Sequence, residues 1–373
     1  MATLAAALMF LAGGPIPTSR AEPSSGTSPQ IGQLVDRGVA FLRAAQAEDG
    51  SFSKHAGPGV TALAAAALMQ NGRGPADPVV AKALGFIQQH VQQDGGIYQS
   101  GSKYRNYETC LAIMCLQQAN QHGRYDPILQ RAERFVKQIQ WNQDEGADLD
   151  STSFGGAGYG THKRPDLSNT SFLIDALKSL GRGPDDPAIQ QALVFVSRCQ
   201  NLETHHNQTE FPTLNPDGGF YYSVAAGGSS QAGNTPNGGL RSYGSMTYAG
   251  LKSMLYAGVD AQDPRVLAAV EWIEKHYALD QNPGLGNDGY YYYLHTFAKS
   301  LSALGRDNFT DSQAIAHNWR AELAAALAER QQPDGSWVNS HTRWLEGDPP
   351  LVTSYALLAL SYCRHPTPAA SGN

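Results

Sequence analysis

Two helical rhythms of apolar and polar positions alternate along the chain. Six stretches, roughly 31–46, 78–91, 127–140, 187–200, 264–278 and 312–330, carry one apolar stripe and a polar face opposite it. Between them lie stretches with small or apolar residues almost all round, such as TALAAAAL from Thr61, TCLAIMCL from Thr109 and TSYALLAL from Thr353. Each of the second kind contains a Thr with an apolar residue seven positions on: Thr61 and Leu68, Thr109 and Leu116, Thr170 and Leu177, Thr247 and Met254, Thr296 and Ala303, Thr353 and Leu360. A helix apolar on every side must be enclosed, so these six predict an inner ring and the one-striped helices an outer layer.

The punctuation between the two rhythms repeats as well. An Asp-Gly turn followed by an aromatic or aliphatic residue recurs as AEDGSF from Ala47, QQDGGIY from Gln92, NPDGGFYY from Asn215, GNDGYYYY from Gly286 and QQPDGSW from Gln331, with FGGAGYG from Phe154 keeping only the glycines. Outer helices open on Asp-Pro at Asp77, Asp126, Asp186 and Asp263, where Asp caps free N–H groups and Pro at the first position loses no hydrogen bond. Repetition at this scale means stacked helix pairs. Six pairs without a polar capping unit satisfy every apolar face by closing. The predicted fold is therefore all-α, a single (α/α)6 toroid of six outer and six inner helices spanning residues 31–364. Two long connections, Trp141 to Pro165 and Asn201 to Gly239, fall at one mouth of such a ring, where a site is expected; the connections at the other end are short.

Composition narrows the function. A net charge of -6 across 373 residues leaves no basic field for nucleic acid. Residues 1–21 read as a signal peptide ending in Ser19-x-Ala21, followed by a linker over 22–30, and residues 365–373 as a tail, so the expected location is exported, periplasmic or extracellular. Export permits disulfides, yet Cys110, Cys115, Cys199 and Cys363 show no framework spacing and read as small buried hydrophobes.

The first unit, RGVAFLRAAQAEDGSF from Arg37 to Phe52, resembles the QW repeat of squalene-hopene and oxidosqualene cyclases. Arg131, Phe135 and Gln140 repeat its first half, and Gln331, Gly335 and Trp337 its second. The length resembles the single toroid of protein prenyltransferase β subunits better than the double barrel of the cyclases. This resemblance implies an isoprenoid-type ligand in a central cavity. The catalytic motifs are not retained: where the cyclases open an inner helix with Pro-Asp-x-Asp-Asp-Thr, this chain has Pro165-Asp166-Leu167-Ser168-Asn169-Thr170, with Ser168 at the acid position. A hydroxyl is no acid for an isolated alkene. Where the prenyltransferases bind zinc through Asp-Gly-Cys-Tyr, this chain has Asp288-Gly289-Tyr290-Tyr291, and one hard oxygen ligand makes no zinc site. No metal and no cofactor is implied.

The remaining candidates for chemistry are Asp166, the acid pair ending in Asp150, and His295, which precedes a repeat Thr and is expected to face the cavity. Candidate ligand-binding residues are His162, Arg164, Tyr222, Arg241, Tyr243, Tyr290, Tyr291 and Trp344, because aromatic rings at a concave mouth suit an apolar polycycle or stack on sugars. The sequence leaves three functions open: an isoprenoid-binding toroid, a polysaccharide lyase or hydrolase on the same fold, and a non-catalytic interaction module.

Overall fold

The computed structural model describes residues 27–143, 146–160 and 164–364. The signal-peptide and tail readings lie outside these residues. Six outer helices, α1 (Thr27–Ala45), α3 (Pro78–Gln88), α5 (Asp126–Gln138), α7 (Pro187–Arg198), α10 (Pro264–Lys275) and α12 (Trp319–Arg330), alternate with six inner ones. The inner set is α2 (Pro58–Gln70), α4 (Arg105–Gln118), α6 (Leu167–Ser179), α9 (Gly244–Tyr256), α11 (Tyr290–Leu304) and α13 (Pro349–Cys363), and one turn of helix, α8 (Phe211–Leu214), sits in the long loop before α9. Each inner helix packs on the next around the ring, and α13 packs on α2 to close it. The fold is the all-α toroid that the periodicity predicts.

Small residues make the inner ring possible. Ala62, Ala64, Ala65 and Ala67 of α2 are fully buried, so neighbouring backbones approach on both sides. Asp77, Asp186 and Asp263 cap α3, α7 and α10 by accepting from the N–H two residues on, at 2.9–3.0 Å. Asp126 does not: α5 begins one residue early, and the carboxylate accepts instead from Asn120 Nδ2 at 2.6 Å.

The glycine turns join one unit to the next. At Gly50, Gly95, Gly155, Gly218 and Gly335 φ lies between 77° and 94°, and a Cβ would come within 1.8–2.8 Å of a carbonyl oxygen on the following outer helix: Lys82, Arg131, Gln191, Ala268 and Arg37 respectively. Only glycine fits there. A glutamine reinforces the joint. Gln46, Gln140, Gln200 and Gln331 each donate to their own turn glycine and to a carbonyl of the following outer helix, Val79, Ala188, Arg265 and Leu34. The repeat threonines bind the same turns from inside, with Thr61, Thr109, Thr170, Thr247 and Thr353 accepting the backbone N–H of Phe52, Ile97, Ala157, Phe220 and Trp337 at 2.9–3.1 Å.

The fifth unit departs from this scheme. Thr296 donates to Tyr292 O within its own helix, and it lies at the seventh residue of α11, whereas its counterparts lie at the fourth or fifth of theirs. The matching turn glycine, Gly289, meets Trp344 rather than an outer helix. The last outer helix starts at Trp319 and not near Ser312, because 305–318 form a hairpin pairing Phe309–Thr310 with Ala316–His317. One connection at the far end is therefore long. The four cysteines are free and buried.

Candidate functional site: a chamber at the mouth of the ring

The loops that lead from outer to inner helices surround a cavity of about 560 Å³ at the N-terminal ends of the inner helices. Its walls come from the positions just before the repeat threonines, where a helix turns a side chain toward the axis while the Thr faces its loop: Val60, Tyr107 and Glu108, Ser168 and Asn169, Ser245 and Met246, and Leu351. Tyr159, Tyr222 and Tyr243 add a wall from the long loops, and Tyr104, Trp344 and Leu345 form an apolar, exposed rim.

Aromatic rings make the floor. Tyr107 and Phe172 meet edge to face at 5.0 Å and Tyr292 and Tyr355 at 6.0 Å, while Phe172 and Tyr292 lie tilted at 6.1 Å. Hydroxyls lock them: Tyr107 to Tyr355 and Tyr292 to Ser168, both at 3.1 Å. Burial pushes Tyr107 up to about 12 and holds Tyr222, Tyr243, Tyr292 and Tyr355 higher still, so all five stay neutral phenols and are poor bases.

Two buried carboxyl groups line the chamber, and the sequence reading names neither. Glu346 accepts from the N–H groups of Tyr291 and Tyr292 and from Asn339 Nδ2 at 2.7–3.2 Å, at the N-terminus of α11. Glu108, in the first turn of α4, accepts from Gln99 N at 2.8 Å and from the Ser102 hydroxyl. Burial raises the pKa of both against these donors. Gly57 lies against Glu108, and a Cβ there would stand 2.9 Å from Oε2. A signal for Glu108 exists in the repeat: it directly precedes Thr109, as Asn169 precedes Thr170. Glu346 sits in a connecting loop with no such register.

Of the sequence candidates, the structure brings Tyr222, Tyr243 and Trp344 to the chamber. Asp166 stands behind that wall: it caps α6 through Asn169 N at 2.9 Å and holds the Asn169 amide at 2.9 Å. Burial lifts it to about 6 while Asn169, the Tyr222 hydroxyl and Arg164 pull it down. Arg164 lies over the Tyr222 ring at 5.7 Å and donates to Ser229, supporting the wall without lining it.

The others belong elsewhere. Asp150 is exposed on its loop, whose carbonyls at Leu149 and Ser151 are held by Arg198, so it is no displaced acid. Arg241 is exposed and bound to Asn234 O. Tyr290 donates to Leu279 O and packs on Tyr291, both turned into the ring wall. His295 is buried one turn deeper than expected because Thr296 is out of register, and it faces a second chamber. His162 lies outside the described residues.

Comparison with known proteins agrees with this geometry at the level of fold. The family profile of the squalene-hopene cyclase C-terminal domain matches residues 54–223. No curated protein matches the sequence. The apo type II terpene cyclase MstE from Scytonema is similar over 89% of this chain and 97% of its own, at 15% identity and a TM-score of 0.54. A variant of MstE in complex with its substrate, geranylgeranyl dihydroxybenzoate, gives 90%, 97%, 14% and 0.53. A protein from Actinoplanes gives 89%, 99%, 14% and 0.51. With its closed ring of helix pairs, the chain has the fold of the squalene cyclase-like terpene cyclases, and its residues 54–223 are similar to the squalene-hopene cyclase C-terminal domain.

Proposed function

We propose that the protein binds an isoprenoid chain in the mouth chamber and cyclises it by proton transfer from Glu108. The observation that carries this reading is a buried carboxyl group at a chamber whose floor and much of whose wall are neutral phenols and apolar side chains. A volume near 560 Å³ accommodates a coiled polyene, within the ~300–1,000 Å³ usual for small-molecule pockets.

Glu108 is the better acid of the two glutamates. Glu346 takes three N–H donors at a helix N-terminus, an arrangement that favours the anion. Glu108 has one N–H donor and one hydroxyl, and Ser102 accepts as readily as it donates, so the protonated acid is accommodated. In the proposed step the alkene π pair takes the carboxyl proton and leaves a tertiary cation. Successive double bonds close rings by attacking that cation, and loss of a proton from a neighbouring carbon ends the reaction. The rings of Phe172, Tyr107 and Tyr292 supply π faces along the floor, where a migrating positive charge is stabilised. Solvent reprotonates Glu108.

A lyase on this fold would need a phenolate base and cations beside it. The phenols are held neutral, so Lys103, the lysine that lines the chamber, has no phenolate base to serve. The test is calorimetric titration with geranylgeraniol and with a uronate oligosaccharide. The proposal expects saturable binding of the isoprenoid alone, retained in Glu108→Gln while product formation is lost. Binding of the sugar alone would replace it with the lyase reading, and no binding of either would leave the interaction module.

A further inference from the structure

Below the aromatic floor lies a second chamber of about 430 Å³, which reaches the C-terminal ends of the inner helices at exposed Gln70 and Gln118. The two chambers are stacked on one axis, because successive turns of the same helix faces line them. On α2 Val60 lines the first and Leu63 the second; on α4 Tyr107 is followed by Leu111, and on α13 Tyr355 by Leu358. Residues three or four apart lie on one face of a helix, so the floor is a single layer of side chains thick. Phe172 lines both chambers.

Phe172 differs from the rest of the floor in how it is held. The hydroxyls of Tyr107 and Tyr355 bind each other and that of Tyr292 binds Ser168, whereas Phe172 is placed by packing alone, against Tyr107 and Tyr292. Beneath it the half of the ring made by α13, α2 and α4 is apolar, with Leu358, Leu63, Ala66, Leu111 and Met114. The other half is charged: Asp175 of α6 holds Lys252 of α9 and Lys299 of α11 at 2.7 and 2.8 Å.

We infer that Phe172 sets the length of the chain that the mouth chamber accepts, by closing an axial cavity that otherwise continues along the apolar half of the ring. The inference rests on the isoprenoid reading of that chamber and names the residue that limits its substrate. From Leu111 to Gln118 the helix adds about 10 Å of depth, the length of roughly two extended isoprene units.

The test titrates the whole protein with all-trans prenyl alcohols of three, four, five and six isoprene units, delivered from cyclodextrin. Wild type is expected to gain affinity up to geranylgeraniol and nothing from the two longer chains, whose extra carbons stay in solvent. Phe172→Ala is expected to bind the six-unit alcohol about tenfold or more tightly than geranylgeraniol, each buried carbon group being worth about fourfold. Phe172→Leu is expected to show a severalfold gain, should circular dichroism find Phe172→Ala unfolded. Adding Ala66→Trp, which fills the second chamber, is expected to remove the gain, and Ala66→Trp alone to leave geranylgeraniol affinity unchanged. A gain missing from both Phe172 variants, one that survives Ala66→Trp, or wild type that tightens with the longer chains would overturn the inference and leave the isoprenoid reading standing. No binding of any of these alcohols by wild type would overturn both.

Discussion

Glu108 and Glu346 show how neighbours divide two buried carboxyl groups between roles. Glu346 holds the start of α11 through two N–H groups, so its loss is a stability effect. Glu346→Gln is expected to cost about 1–2 kcal/mol in urea unfolding, the scale of a charged helix-terminus bond. Glu108→Gln is expected to change stability less and to abolish turnover. His295 gives a pH signature. Burial first, then the charges of Lys299 and Lys252, depress its folded pKa to about 3. A histidine that is neutral in the fold but protonates near 6.5 when unfolded contributes stability above 6.5, which is lost as pH falls toward 3. At pH 5 the loss is about 2 kcal/mol. Denaturation of wild type and His295→Gln at pH 5 and 7.5 checks this, and equal pH dependence in the two would contradict it.

At the scale of elements, the joints between units carry the sharpest expectation. Gly155→Ala would put a methyl 1.8 Å from Gln191 O at a φ of 80°, whereas Gly72, at a φ of 85°, has nothing within 4 Å. Gly155→Ala is expected to cost about 3 kcal/mol or more and Gly72→Ala about 1 kcal/mol, because only the first adds a clash to backbone strain. The helices were legible because their stripes and Asp-Pro starts are local signals. The joint was half legible: the Asp-Gly repeat marks the turn, but the docking of each glycine on the next helix is a tertiary contact. Unit five misled the reading because Thr296 keeps the local pattern while the helix begins elsewhere, shifting His295 by a turn. The site was less legible than the fold. Tyr222, Tyr243 and Trp344 follow from loop position. Glu346 and the ion cluster of Asp175, Lys252 and Lys299 depend on which inner helices face one another across the ring.

At the scale of the molecule, ring closure couples the two ends of the chain. Arg37 donates to the carbonyls of Gln332 and Pro333 at 2.7 and 3.2 Å, Gln331 reaches back to Leu34, and α1 packs on α13. A closed ring has no free terminal unit from which to unravel, so unfolding is expected as one transition. Gly335→Ala, which wedges a methyl against Arg37 O at 2.5 Å, is expected to split it into two, read by circular dichroism and tryptophan fluorescence together. The closed ring also gathers Glu108 and the aromatic floor at one mouth, where the proposal has a cation pass along a polyene. That claim is tested most directly by incubating the protein with geranylgeraniol in deuterium oxide and analysing the recovered lipid by mass spectrometry. The account predicts a cyclic isomer carrying one deuterium on carbon with wild type and none with Glu108→Gln. Unlabelled, acyclic geranylgeraniol recovered from wild type that binds it would contradict the account.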